Sequence, residues 1–350
     1  MKKYITIILT LATLAACTKS EVTYEQPGAI AIQPVSQGMT KAAVTAAPTG
    51  QELLIYANYV DPGHPDRHAG DPYLNAAVFE ESSTGIWTGK GQTYFWPKSG
   101  KISLAGCTNY DTVEYSYEDN TFTVDNYEQS LNPSNTVDFI WFGKTQKVNH
   151  HDLTTDNLAV TMNHALTWVT IQVKGFGGSV DWNVECIKLL DVKDTGDLTC
   201  TGDEVVWENV ANTDANDKDV VVYNAPKTGD KPYVTLTEAA QDIENTPRGT
   251  VLIPQVPVQM MVGYHTTSID NLDANTLRWK TLDLKISETA ADNFWEAGKH
   301  YIYTVTFNPY KITFELTTDD SWENTDNTVD DYVDAEIDGN ENTPTINNKN

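Results

Sequence analysis

The chain has 350 residues and 49 acidic side chains against 23 basic ones, a net charge of -26 at neutral pH. Such a surface repels polyanions, which argues against nucleic acid and anionic membrane faces as partners. Many Thr, Val, Tyr and Trp residues, with Asn, Asp and Gly for turns, indicate a β-rich globular protein long enough for two domains.

Residues 1–16, MKKYITIILTLATLAA, have the three parts of a secretory signal. Lys2 and Lys3 form the positive end, Tyr4 to Leu14 the apolar stretch, and Ala15-Ala16 the small residues before a cleavage point. The apolar stretch falls short of the about 20 residues that a spanning helix needs. Leu14-Ala15-Ala16-Cys17 reads as a lipobox, in which the Cys17 thiol takes a diacylglycerol and the freed amino terminus is acylated, as with palmitate. An ordinary signal peptide followed by a chance cysteine is the competing reading. Thr18 rather than Asp after the cysteine suits sorting to an outer membrane. No second apolar run approaches spanning length, so the membrane enters only through the lipid.

Residues 18–50 are rich in Ala, Thr, Gln, Pro and Gly. Within them AIAIQPV (29–35) places Ile30 and Ile32 on one side of an extended chain that Pro34 ends. From Ser20 to Asp66 the only Lys or Arg is Lys41. Strand patterns begin at QELLIYANYV (51–60) and continue through GIWTG, QTYFWP (92–97) and KISLAGCTNY (101–110). TVEYSYEDNTFTVDNY (112–127) turns at Asp119-Asn120 as a hairpin.

A polar break at 147–157 precedes LAVTMNHALTWVTIQVKGF (158–176), and a domain boundary is expected near residue 156. Further strands follow in NVECIKLLDV, EVVWENV, KDVVVYNA, GTVLIPQVPVQMMVGYHT and TLRWKTLDLKI. ETAADNFWEAGKH (288–300) is the best helical candidate, and YIYTVTFNPYKITFELTT (301–318) reads as two strands. The expected class is all-β, two sandwiches in tandem, with very little helix. In the acidic tail, YVDAEID alternates Val333, Ala335 and Ile337 with Asp334, Glu336 and Asp338. A strand with one apolar face must bury it, and another molecule can supply the place.

The cysteines beyond the lipid site are Cys107, Cys186 and Cys200, so at most one pair forms. Export permits a Cys186–Cys200 bridge. Three buried thiols acting as small hydrophobes is the alternative. His64, His68, His150 and His151 lack a carboxylate at a diagnostic spacing and read as loop histidines. His164 reads as a packed or hydrogen-bonded strand residue. DVKDTGD (191–197) and DANDKD (214–219) lack the EF-hand pattern. No catalytic or cofactor motif occurs, so the chain reads as a non-enzyme without a cofactor. Trp87, Trp96, Trp182, Trp207 and Trp279 either fill cores or stack on sugars.

Four segments carry a resemblance in a consistent order: TYFWPKSGKISLAGCTNY (93–110), MNHALTWVTIQVKG (162–175), VLIPQ (251–255) and FWEAGKHYIYTVTF (294–307), followed by ITFE and Trp322. Together they resemble the strand signatures of the fimbrillin-like proteins, the type V pilins of Gram-negative bacteria. Thr167-Trp168 stand where that family tends to have Lys. The resemblance implies two transthyretin-like sandwiches and a structural role in adhesion. It also implies export as a lipoprotein and trimming by a trypsin-like protease. The lost first strand is then replaced by a terminal strand from another pilin subunit, in a head-to-tail polymer. Carried onto this chain, Ile30 and Ile32 belong to the removable strand and Lys41–Ala42 is the scissile bond, with Lys where the family usually has Arg. Val333, Ala335 and Ile337 form the donor face. The expected organisation is a signal at 1–16, a lipidated propeptide at 17–41, sandwiches at 42–156 and 157–322, and a donor tail at 323–350. The subunit moves from the outer membrane to a surface fimbria. A non-polymerising surface lipoprotein (tip, anchor or glycan-binding adhesin) is the alternative.

Overall fold

A computed structural model of the chain describes residues 28–35, 51–83, 85–146, 148–153, 155–176, 180–213, 218–225, 234–243, 250–268, 276–290, 292–308, 311–319 and 331–333. The strand Glu52–Asp61 is apolar on both sides. Leu53, Ile55, Ala57 and Tyr59 point into one core, Leu54 and Tyr56 into another. Its neighbour Lys101–Thr108 divides in the same way, Ile102 and Leu104 against Ala105 and Cys107. Strands buried on two faces require a layer on each side.

These two strands lie within an eight-stranded sheet. Its order is Asn163–His164, Ile140–Phe142, Lys101–Thr108, Glu52–Asp61, Pro72–Ser83, Ile86–Gly89, Ala31–Val35, Leu158–Thr161. Only Met162 separates the first and last of these strands along the chain, yet they occupy opposite ends of the order. The sheet therefore curls until its ends meet. Inside the curl, Phe79, Trp87, Trp96, Leu104, Phe142, Leu158 and Val160 pack with Ile30 and Ile32.

The outer face of the two central strands is covered by a four-stranded sheet. One hairpin, Val113–Ser116 with Thr121–Glu128, turns at Asp119-Asn120 as its sequence indicates. Asn120 sits at φ 57°, a conformation that Asn tolerates in hairpin turns. The other hairpin, Thr195–Thr201 with Glu204–Ala211, comes from far along the chain and pairs with Thr121–Glu128. Strand pairing thus carries the first sandwich past residue 156, through His164, and brings 195–211 back to it. The β-rich run 158–176 is shared: Leu158–Thr161 and Asn163–His164 serve the first sandwich, and Thr167–Gly175 opens the second.

The second sandwich packs two sheets face to face. Thr167–Gly175, His300–Phe307 and Ile312–Asp319 lie in one; Val220–Asn224, Val180–Leu190, Gln259–Ser268 and Arg278–Asp283 form the other. Alternation is clean in Thr167–Gly175, whose Val169, Ile171 and Val173 enter the core beside Trp295, Tyr303 and Phe307. Such alternation marks a strand with one buried face. Residues 288–300 form no helix among the described residues, contrary to the sequence pattern. Too short to stabilise a helix alone, the segment is instead pinned by its side chains. Asn293 Oδ1 accepts from the Ile286 amide (2.8 Å), and fully buried Trp295 donates its indole N–H to the Tyr303 hydroxyl (2.9 Å).

Cys107, Cys186 and Cys200 are buried free thiols. The bridge considered between Cys186 and Cys200 does not form, because they belong to different sandwiches. Cys186 lies on Val180–Leu190, while Cys200 shares the core beneath the four-stranded cover with Cys107. Burial pushes all three thiols up, Cys107 further through its neighbour Cys200. A thiol held protonated in a dry core reacts slowly. The folded chain from residue 18 onward is therefore expected to give no reaction with an aromatic disulfide reagent at neutral pH, and three thiols after denaturation. Two thiols fewer after denaturation would show a bridge.

Candidate functional site

The strand Ala31–Val35 differs from every other strand of the first sandwich in how it is held. It is the first described strand of the chain, ahead of Glu52–Asp61, yet it occupies an interior position of the sheet. On one side it runs antiparallel to Ile86–Gly89, with Ala31 opposite Thr88 and Ile32 opposite Trp87. On the other it runs parallel to Leu158–Thr161, with Ile32, Gln33, Pro34 and Val35 opposite Leu158, Ala159, Val160 and Thr161. Ahead of the strand, the Ile30 amide donates to Tyr94 O (2.8 Å) and the Trp96 amide to Gly28 O (3.0 Å).

Side chains alternate as a two-sided strand demands. Ile30, Ile32 and Pro34 are buried, Ala29 and Gln33 are exposed, and Ala31 is half-buried. The floor beneath them is aromatic: Phe79, Trp87 and Trp96 are fully buried in the same core, and Tyr94 stacks on Phe79 with ring centroids 5.4 Å apart. Burying two isoleucines contributes roughly 3–6 kcal/mol at about 1.5–3 kcal/mol each. Pro34 offers no N–H and lies beyond the residues paired with Ile86–Gly89, where a sheet tolerates proline.

Two residues shape the entrance: Gly28, which the sequence pattern did not single out, and His150, which it read as a loop histidine. A Cβ built on Gly28 would overlap the ring of His150. His150 belongs to the 3-10 turn His150–Asp152, closed by an Asn149/Asp152 capping box. The Asn149 side-chain amide also donates to Pro97 O (3.2 Å). The available signal was a glycine two residues ahead of the Ile-x-Ile pair, meaningful only once its neighbour is known.

Lys41 and Ala42 lie outside the described residues, as do Cys17, Ala335 and Ile337. Val333 ends the short strand Asp331–Val333, which pairs antiparallel with Ile312–Asp319 at the edge of a second-sandwich sheet. Leu316, Glu315 and Phe314 stand opposite Asp331, Tyr332 and Val333. Ala31–Val35 and Asp331–Val333 therefore lie in different sandwiches of one chain.

The remaining chemistry points to structure. No group of three or more His, Cys, Asp or Glu among the described residues could hold a metal ion. His64 is exposed beside Asp66, while His164 Nδ1 meets Asp138 Oδ2 at 2.6 Å, the hydrogen-bonded strand histidine that its position indicates. Trp87, Trp96 and Trp182 are core residues. Trp207 donates its indole N–H to Ala165 O (2.7 Å), and Trp279 lies over Gly263. Both are half-buried and engaged with the fold.

The model of the fimbrillin-like family matches residues 40–331. A fimbrial protein from Bacteroides vulgatus is similar in structure, with a TM-score of 0.56 at 15% identity over 84% of this chain and 99% of that one. A putative cell adhesion protein from Bacteroides uniformis aligns at 15% identity with a TM-score of 0.49, covering 85% and 99% of the two chains. A tip fimbrial protein from Porphyromonas gingivalis aligns at 12% identity with a TM-score of 0.35, covering 84% and 99%. No curated protein sequence matches. With the family model spanning most of the chain, both sandwiches included, the chain belongs to the fimbrillin-like family.

Proposed function

We propose that the chain is a subunit of a cell-surface fimbria, exported as a lipoprotein on Cys17 and cut after Lys41 before it polymerises. The observation that carries this reading is the interior placement of Ala31–Val35, a strand whose covalent link to the rest of its sandwich runs through residues 36–50. Lys41 lies in that connection, six residues past Val35 (41 − 35), and is its only basic residue. A protease that cleaves after lysine severs the strand from the domain it completes. The lipid stays with the released segment, and the subunit leaves the outer membrane.

Severing turns a tethered strand into a separate peptide. Its hold is then the apolar burial of Ile30 and Ile32 and a short ladder, opposed by association entropy. Once it leaves, Ile86–Gly89 and Leu158–Thr161 present unpaired backbone beside an apolar floor. Exposed edges of this kind capture another strand. A tail strand carrying Val333, Ala335 and Ile337, from a second subunit, fills the gap. Because groove and tail lie on different sandwiches, each subunit gives at one place and receives at another, a head-to-tail contact that extends rather than closes.

A non-polymerising adhesin or anchor is the competing reading and keeps both Cys17 and the first strand. Lys41→Ala is expected to leave the precursor uncut by a lysine-accepting protease and monomeric on a sizing column. Deletion of residues 329–338 is expected to permit cutting but to abolish the high-mass ladder. Normal ladders from either variant would overturn the proposal.

A further inference from the structure

The groove accepts a strand in one direction better than in the other, and Gly28 identifies which. Reading along the chain, the inward positions are Gly28, Ile30, Ile32 and Pro34. Gly28 is the position at which a side chain meets the His150 ring. The tail has Val333, Ala335, Ile337 and Gly339 at the same two-residue spacing. Read backwards, it is Gly-x-Ile-x-Ala-x-Val against Gly-x-Ile-x-Ile-x-Pro.

We propose that the tail of a neighbouring subunit enters the groove antiparallel to the strand it replaces, with Gly339 in the place of Gly28. This inference rests on the donor-strand reading above. It seats Ile337 where Ile30 was, Ala335 where Ile32 was and Val333 where Pro34 was. Asp338, Glu336 and Asp334 take the outward places of Ala29, Ala31 and Gln33. Threading in the original direction fits less well. With Val333, Ala335 and Ile337 kept in the three apolar places, Asp331 falls at the Gly28 position and meets His150. Shifted by two residues, Val333 meets His150 and Gly339 leaves the apolar place of Pro34 empty.

The backbone differs little between the two directions. A reversed strand runs antiparallel to Leu158–Thr161, where four residues of the displaced strand ran parallel, and parallel to Ile86–Gly89, where two ran antiparallel. Antiparallel pairing is the slightly more stable arrangement per residue. Val333 also brings an N–H to a position where Pro34 has none. Ala335 is smaller than Ile32, so the fit is looser at that place and closer at the other three.

Disulfide trapping between subunits tests direction. Cα atoms of paired residues on neighbouring strands lie about 4.5–5.5 Å apart, within disulfide reach. Ala159, opposite Gln33, and Phe95, opposite Ala29, are both exposed. Processed subunits carrying Ala159→Cys or Phe95→Cys are mixed with processed subunits carrying a tail cysteine, then oxidised mildly. The expected dimers join Ala159→Cys to Asp334→Cys and Phe95→Cys to Asp338→Cys. Dimers of the exchanged pairs, or of Phe95→Cys with Tyr332→Cys, would overturn the direction while sparing the donor-strand reading. No dimer from any pair would overturn both. Gly339→Val is further expected to slow polymerisation about tenfold, with His150→Ala restoring it. Unchanged polymerisation by Gly339→Val would contradict the glycine's place.

Discussion

The architecture of the first sandwich depends on one seam, the ladder of Ala31–Val35 between Ile86–Gly89 and Leu158–Thr161. Because the sheet curls on itself, this short strand closes the wall around a core of Phe79, Trp87, Trp96, Leu104 and Phe142. Leu158–Thr161 reaches the rest of its sheet on that side only through Ala31–Val35. A strand so placed cannot be lost without exposing backbone and aromatic surface together. That coupling makes its removal a change of state, since a wet apolar floor flanked by unpaired edges has a strong tendency to be refilled.

The two sandwiches are joined by more than one connection. The four-stranded cover takes one hairpin from 113–128 and the other from 195–211, so the chain passes between the sandwiches after His164, after Leu190 and again after Ala211 rather than once. Further ties cross the junction. The Gln129 side-chain amide donates to Val251 O, and Ile253 packs with Leu166 and Cys200. Repeated crossings leave less hinge freedom between the sandwiches than a single linker would.

Much of this was legible in the residues, for identifiable reasons. Alternation in 167–175 and 301–307 is a local property of strands with one dry face, and the structure reproduces it. The Ile30-x-Ile32 pair likewise announced a strand. The return of 195–211 to the first sandwich is a non-local pairing with no local signature. Nor does the run 158–176 change character where it passes between sandwiches, because Ala165 and Leu166 are as buried as the strands on either side. The segment 288–300 has helix-forming residues but is claimed by Trp295 and Asn293, so tertiary contacts overrode local propensity. The role of Gly28 needed His150, more than a hundred residues away (150 − 28 = 122).

The proposed maturation removes the strand Ala31–Val35 from the fimbrial form of the protein. N-terminal sequencing of the chain recovered from cell-surface filaments tests it most directly. A start at Ala42 is the predicted result. A blocked terminus at lipidated Cys17, with residues 28–35 still attached, would contradict it.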